Sequence, residues 1–162
     1  MSAWYALWTR SRHERLVCQE LTLRHVEAFL PTVLRWSVWK DRKKQIDWPL
    51  FPGYCFARFD ESALFLVLNC SGVATVVSFN GTPAAIPDLE IENIRRLIAS
   101  ELQYDPCPFI REGAFVRVTR GPLTGVVGRL LRKGTHAHLV LSVEIVNSAV
   151  SVQVDASDVV AA

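Results

Sequence analysis

The hydrophobic period of this chain changes once, beside a pair of closely spaced prolines, and that change limits the folds open to it. Ahead of Tyr104, aromatic and β-branched runs alternate with runs of helical period; from Arg111 onward the helical period is gone. Between them, Tyr104-Asp105-Pro106-Cys107-Pro108 reads as a connector, because two prolines in three residues deny a helix or an inner strand. Two modules follow: 1–103, a linker over 104–110, and 111–162.

In the first module, residues 4–9 form a strand by propensity. Ser11 and Glu14 have the spacing of a capping box, which predicts a helix from there to about His25, with Leu16, Val17, Cys18 and Leu21 on its apolar face. Residues 32–40 and 45–50 flank a polar, basic tip at Asp41, Arg42, Lys43 and Lys44, the pattern of a long hairpin. A turn at Phe51-Pro52-Gly53 leads into a strand over 54–59. Asp60 or Ser62 then opens a short helix, 73–79 is a strand, and Asn80-Gly81-Thr82-Pro83 breaks the pattern. After Pro87, a helix capped by Asp88 carries Ile91, Ile94, Leu97, Ile98 and Leu102. Strands mixed with three helices predict an α+β sandwich with an antiparallel sheet.

The second module offers short strands at 114–119, 125–132, 138–146, 150–154 and 158–160, set between glycines and polar turns. That pattern predicts a small SH3-like β-barrel. In its string from Val116 to Leu130, Gly121-Pro122 makes a turn, Gly125 permits a positive φ or a bulge, and Gly128 lets a tightly coiled barrel bend.

Composition narrows function mainly by exclusion. Half of the 162 residues are hydrophobic and 21% are charged, which suits a folded core and excludes long disorder. A formal charge of +2 is too mild to mark a nucleic-acid binder, so local clusters must carry any such role. The absence of a leader pattern and of long uncharged apolar runs predicts a cytoplasmic protein that does not engage a membrane. Cys18, Cys55, Cys70 and Cys107 have no metal or redox spacing and read as small buried hydrophobes. His136 and His138 form a lone pair without acidic or thiol companions, so no metal site is expected. With no nucleophile elbow, phosphate-cradling loop or catalytic carboxylate pair, the chain reads as a binding protein that is neither an enzyme nor dependent on a cofactor.

Three segments carry a family resemblance. Trp4-Tyr5-Ala6-Leu7, the stretch from Pro49 to Phe59, and the string around Arg120-Gly121-Pro122-Leu123-Thr124-Gly125-Val126-Val127-Gly128 resemble, in order and spacing, the signatures of the NusG family. The first two resemble its NGN domain and the third its KOW motif. Thr9 to Glu14 and the compact hairpin lean toward the specialised RfaH- and UpxY-type antiterminators, while a general elongation and termination factor remains the alternative. A KOW-containing RNA- or ribosome-binding protein is a further one. Unlike the RfaH tail, which switches to a helical hairpin, this tail keeps its glycines and β-branched runs, which favour a barrel throughout.

The resemblance implies a monomeric elongation factor that suppresses pausing and termination. Tyr5, Trp8, Phe51, Tyr54 and Phe56 match positions that grip the clamp helices of the largest catalytic subunit of RNA polymerase; the bland alternative for each, above all for Phe56, is the core. Arg10, Arg12, His13 and Arg15 cluster at a helix start, where backbone N–H groups favour phosphate, and by resemblance face the non-template DNA strand. Otherwise they are a solvated helix start. Asn69, Cys70 and Ser71 lie where the family meets the opposing gate loop. Arg117, Arg120, Arg129, Arg132 and Lys133 either serve the barrel's partner, a small-subunit ribosomal protein or Rho by resemblance, or simply point outward.

Overall fold

The computed structural model describes residues 1–39, 42–111 and 113–162, and the chain divides into two compact units, Met1–Ile86 and Pro87–Ala162. Among the described residues no helix is long and apolar enough to cross a membrane.

The first unit is built on a four-stranded antiparallel sheet. Its strands are β1 (Ala3–Thr9), β2 (Glu27–Phe29), β5 (Tyr54–Phe59) and β6 (Val73–Val76), in the order β2-β5-β1-β6. Alternation along β1 and β5 sends Tyr5, Leu7, Cys55, Ala57 and Phe59 to one face. There they pack with Val17 and Leu21 of α1 (Glu14–Leu23) and Val67 of α2 (Leu64–Leu68). Val17 and Leu21 are one helical turn apart, so a single apolar stripe meets the sheet. Burying each such side chain contributes roughly 1.5–3 kcal/mol.

The hairpin is present as a separate two-stranded sheet, β3 (Thr32–Trp39) with β4 (Arg42–Pro49). Its ladder runs farther than expected, pairing Lys44 with Ser37, Lys43 with Val38 and Arg42 with Trp39. Arg42, Lys43 and Lys44 are therefore strand residues; Asp41, expected in the tip, lies outside the described residues. Asn80-Gly81, read only as a break, is the two-residue turn between β7 (Ser78–Phe79) and β8 (Thr82–Pro83), with positive φ at both positions.

The second unit opens with α3 (Asp88–Ala99) and contains a six-stranded antiparallel sheet of SH3-like, KOW type. Its strands are β9 (Tyr104–Pro108), β10 (Phe115–Val118), β11 (Val127–Lys133), β12 (His136–Val143), β13 (Ser148–Val154) and β14 (Val159–Ala161), ordered β14-β10-β11-β12-β13-β9. The stretch expected as a connector is thus an edge strand. Tyr104 to Pro108 pair with Val152 to Ser148, and an edge is where a strand tolerates proline, since only one side of it bonds. The helix after Pro87 packs on β12 within this unit. Pro87 holds its cap position without a side-chain bond, so Asp88 is the first helical residue and not the cap. The helix stops at Ala99, leaving Leu102 outside it and exposed.

Candidate binding surface

The end of β1 is fastened on both sides by glycine carbonyls. The Thr9 N–H donates to the Gly53 carbonyl at 2.8 Å, its hydroxyl to the same oxygen at 3.2 Å, and the Arg10 N–H to the Gly72 carbonyl at 2.8 Å. The chain then turns through Arg12 at φ 62°, closed by His13 N–H to the Arg10 carbonyl at 3.0 Å. This turn throws the arginine side chains outward before α1 begins.

The capping box does not form. His13 occupies the cap position of α1 without a side-chain cap bond, and the buried Glu14 turns its carboxylate to the Gly53 N–H at 3.3 Å. Glu14 therefore ties the helix start to the Phe51-Pro52-Gly53 turn, an interaction between distant segments that local spacing could not show. Gly53 has φ 89° and sits against the Trp8 ring, which lies 3.4 Å from where a Cβ would stand.

Trp8 and Tyr54 are cross-strand partners, and their rings meet edge to face with centroids 4.8 Å apart. Trp8 is 45% exposed and Tyr54 half-buried. Beside them opens a groove of about 860 Å³ lined by Trp8, Arg10, Arg12, Arg15, Trp48 and Pro49, with Asp47 and Glu14 as its acidic members. The sequence-predicted aromatic set is thus divided. Trp8 and Tyr54 reach solvent, whereas Phe56 is buried against Phe51 and Phe29, at 6.0 and 6.4 Å between centroids. Tyr5 lies on the helix-covered face against Phe59, at 4.7 Å. The basic set divides as well: three arginines line the groove, but His13 is half-buried with its Nδ1 2.7 Å from the Ser11 carbonyl.

Trp48, 48% exposed, had no place among the expected site residues. Its only sequence signal was a tryptophan on a polar strand, where an apolar core partner is not expected. Asn69 and Ser71 are exposed, while Cys70 between them is buried; on neighbouring α2, Phe65, Leu66 and Leu68 face solvent and only Val67 is buried.

In the second unit Gly121 and Gly125 take φ 87° and 89°, and the Gly125 N–H donates to the Val118 carbonyl at 2.7 Å. Gly128 serves close packing, since a Cβ there would stand 2.7 Å from the Val140 carbonyl oxygen. Arg120, Arg117 and Arg132 are exposed or partly so, but Arg129 is engaged, its guanidinium 4.3 Å from the Phe115 ring and bonded to the Gly113 carbonyl at 3.0 Å. The side chain of Lys133 lies outside the described residues. His136 Nδ1 pairs with Gln153 at 3.0 Å.

An exposed aromatic pair beside an arginine-lined groove, carried in one chain with an SH3-like unit, has the chemistry of a macromolecule-binding surface. A family model described as transcription termination factor nusG matches residues 2–95, and the chain belongs to the NusG family. A solved NusG of Thermotoga maritima, described for its domain interaction, is similar in fold at a TM-score of 0.56 and 21% identity, covering 98% of this chain and 96% of that one. Members of the family are non-enzymatic transcription factors that bind RNA polymerase.

Proposed function

We propose that this chain is an operon-restricted elongation factor that docks on the clamp helices of RNA polymerase through Trp8 and Tyr54 and lays Arg10, Arg12 and Arg15 along the non-template DNA strand, suppressing pausing and termination. The observation that carries the reading is the adjacency of the two surfaces: the Trp8–Tyr54 ring pair borders the groove that the three arginines line. Phe51 and Phe56 pack on one another in the core, which leaves Trp8 and Tyr54 as the exposed rings, and exposed aromatic anchors are what concentrate binding energy at an interface. A general factor would use the docking rings without needing the groove; the arginine-lined groove adds a second hold on DNA, through phosphate contacts that carry no base sequence.

The test is transcription in vitro with purified polymerase and the full chain. Wild type should shorten pauses, and Tyr54→Ala should abolish the effect; a fully active Tyr54→Ala removes the docking assignment. Replacing Arg10 and Arg12 together by Ala should weaken DNA-dependent recruitment and lower its salt slope by about 1.4, because each guanidinium neutralises one phosphate of a single strand. An unchanged slope excludes the DNA role. Equal activity on every template, with the same slope, would return the chain to the general elongation and termination class.

A further inference from the structure

Three of the four cysteines, unrelated in sequence spacing, come together in the core of the first unit. Cys55 on β5 and Cys70 after α2 are buried in the cluster beneath α1, and Cys18 of α1 packs against that cluster while remaining partly open to solvent. α1 packs directly on β5, and of the buried thiols Cys55 is the one that interacts with Cys18; its S–H also stands 3.7 Å from the Phe56 carbonyl. A surface opening of about 430 Å³, lined by Cys18, Gln19, Thr22 and Leu23, leads to the Cys18 side. One sulfur is thus reachable from solvent and its partner is held behind it in the apolar interior.

We propose that Cys18 and Cys55 form a reversible oxidation site, in which a hydroperoxide oxidises Cys18 and Cys55 closes an intramolecular disulfide between α1 and β5. The charge distribution suits the order of events. The interaction with the Cys55 side chain and, after the opposing effect of burial, the Arg15 guanidinium on the preceding turn bring Cys18 down to about 7, so it is the thiolate of the pair. Cys55 is pushed up by the same interaction, by burial and by the negative surroundings of Cys18, Glu14 and Cys70, and stays a thiol.

The Cys18 thiolate attacks a peroxide oxygen; the S–O bond forms, the O–O bond breaks, and hydroxide or alkoxide leaves with the electron pair. Sulfur is oxidised by two electrons to the sulfenic acid and the peroxide is reduced. Cys55 then attacks the Cys18 sulfur, forming S–S and breaking S–O. The Cys55 proton leaves with the departing hydroxide as water. A dithiol returns two electrons and restores both thiols. The site stands independently of how polymerase is bound.

The experiment uses the reduced full chain, treated with one equivalent of hydrogen peroxide, quenched with an alkylating agent and mapped by mass spectrometry. A Cys18–Cys55 disulfide that dithiothreitol reverses is the expected product. In Cys55→Ala, dimedone should trap the sulfenic acid on Cys18; in Cys18→Ser no such disulfide should form. Because Cys55→Ala touches the core, a second measurement uses the wild type alone. Alkylation of native Cys18 should rise with half-maximum near pH 7 and, at that pH, outpace the same residue in the guanidinium-unfolded chain several-fold. Pairing of Cys18 with Cys70 or Cys107, a sulfenic acid that never closes to a disulfide in the wild type, or alkylation no faster than in the unfolded chain would each overturn the proposal.

Discussion

Gly72 shows how much one residue decides at the junction between strand and helix. Its carbonyl receives the Arg10 N–H, and a Cβ added to it would stand 2.6 Å from Val17 Cγ2 and 3.1 Å from His13 Cβ. Neither neighbour can yield freely, since Val17 is fully buried and His13 begins α1. Gly72→Ala should cost about 1–3 kcal/mol, as overpacking does, and shift the arginine turn as well. Gly121→Ala meets no atom within 4 Å and should cost only the strain of its positive φ, about 1 kcal/mol. Urea denaturation of the two variants beside wild type checks the ranking; equal losses would mean that space around Gly72 is not what selects glycine. Glu14 argues in the same way. Its carboxylate replaces the solvent shell of the Gly53 N–H at a buried position, and Glu14→Ala should destabilise by about 1–3 kcal/mol by leaving that donor unpaired. A loss far smaller than this in the same titration would show that the Gly53 N–H finds another acceptor.

At the scale of elements, most strands and all three helices were legible because their signals are local: alternation in β1 and β5, the spacing of Val17 with Leu21, and the run Ile91, Ile94, Leu97. The misses share a physical cause. Tyr104 to Pro108 become a strand only through pairing with β13, and the Glu14 carboxylate finds its partner on the turn before β5; neither partner is near in sequence. The candidate site was legible in residue type but not in grouping, since only folding divides Trp8 and Tyr54 from Phe56 and adds Trp48 to the groove. The seat of α3 makes a further prediction. Burial, and then the Glu144 carboxylate, push Glu90 above its ordinary value, although its Oε1 accepts the Glu144 N–H at 3.2 Å. A folded value above the unfolded one means that the folded chain binds more protons in the window between them. Stability contributed by Glu90 is therefore present below the unfolded value, about 4.3, and is lost as pH rises through the folded one. Glu90→Gln keeps an acceptor without the charge. It should flatten this fall and be no less stable than wild type at neutral pH, measured as urea midpoints of the full chain across mildly acidic pH. A variant that retains the full pH dependence would assign it to another group.

For the whole molecule, the division at Ile86 and Pro87 bears on what can fold by itself. The tail defined by the loss of helical period, 111–162, omits both α3 and β9. Without β9 the β13 edge is open, and an unpaired edge is a template for association. Without α3 the side of β12 that it covers is uncovered, and the carbonyls of Pro122 and Thr124 lose the Arg96 guanidinium that binds them at 3.3 and 2.6 Å. A segment of 87–162 keeps all of these partners. We expect 87–162 to be monomeric and to unfold in one cooperative transition, and 111–162 to melt at lower temperature or to associate. Calorimetry with sedimentation of both segments decides the matter. If 111–162 proves equally stable and monomeric, α3 and β9 are attachments to a barrel complete without them, and the working boundary moves back to the prolines. If instead 87–162 alone behaves as a folded unit, Arg96→Ala should reproduce part of the deficit by freeing the turn at Gly121 to Thr124, seen as faster amide exchange there, because a charged donor shared by two carbonyls is what holds that turn against α3.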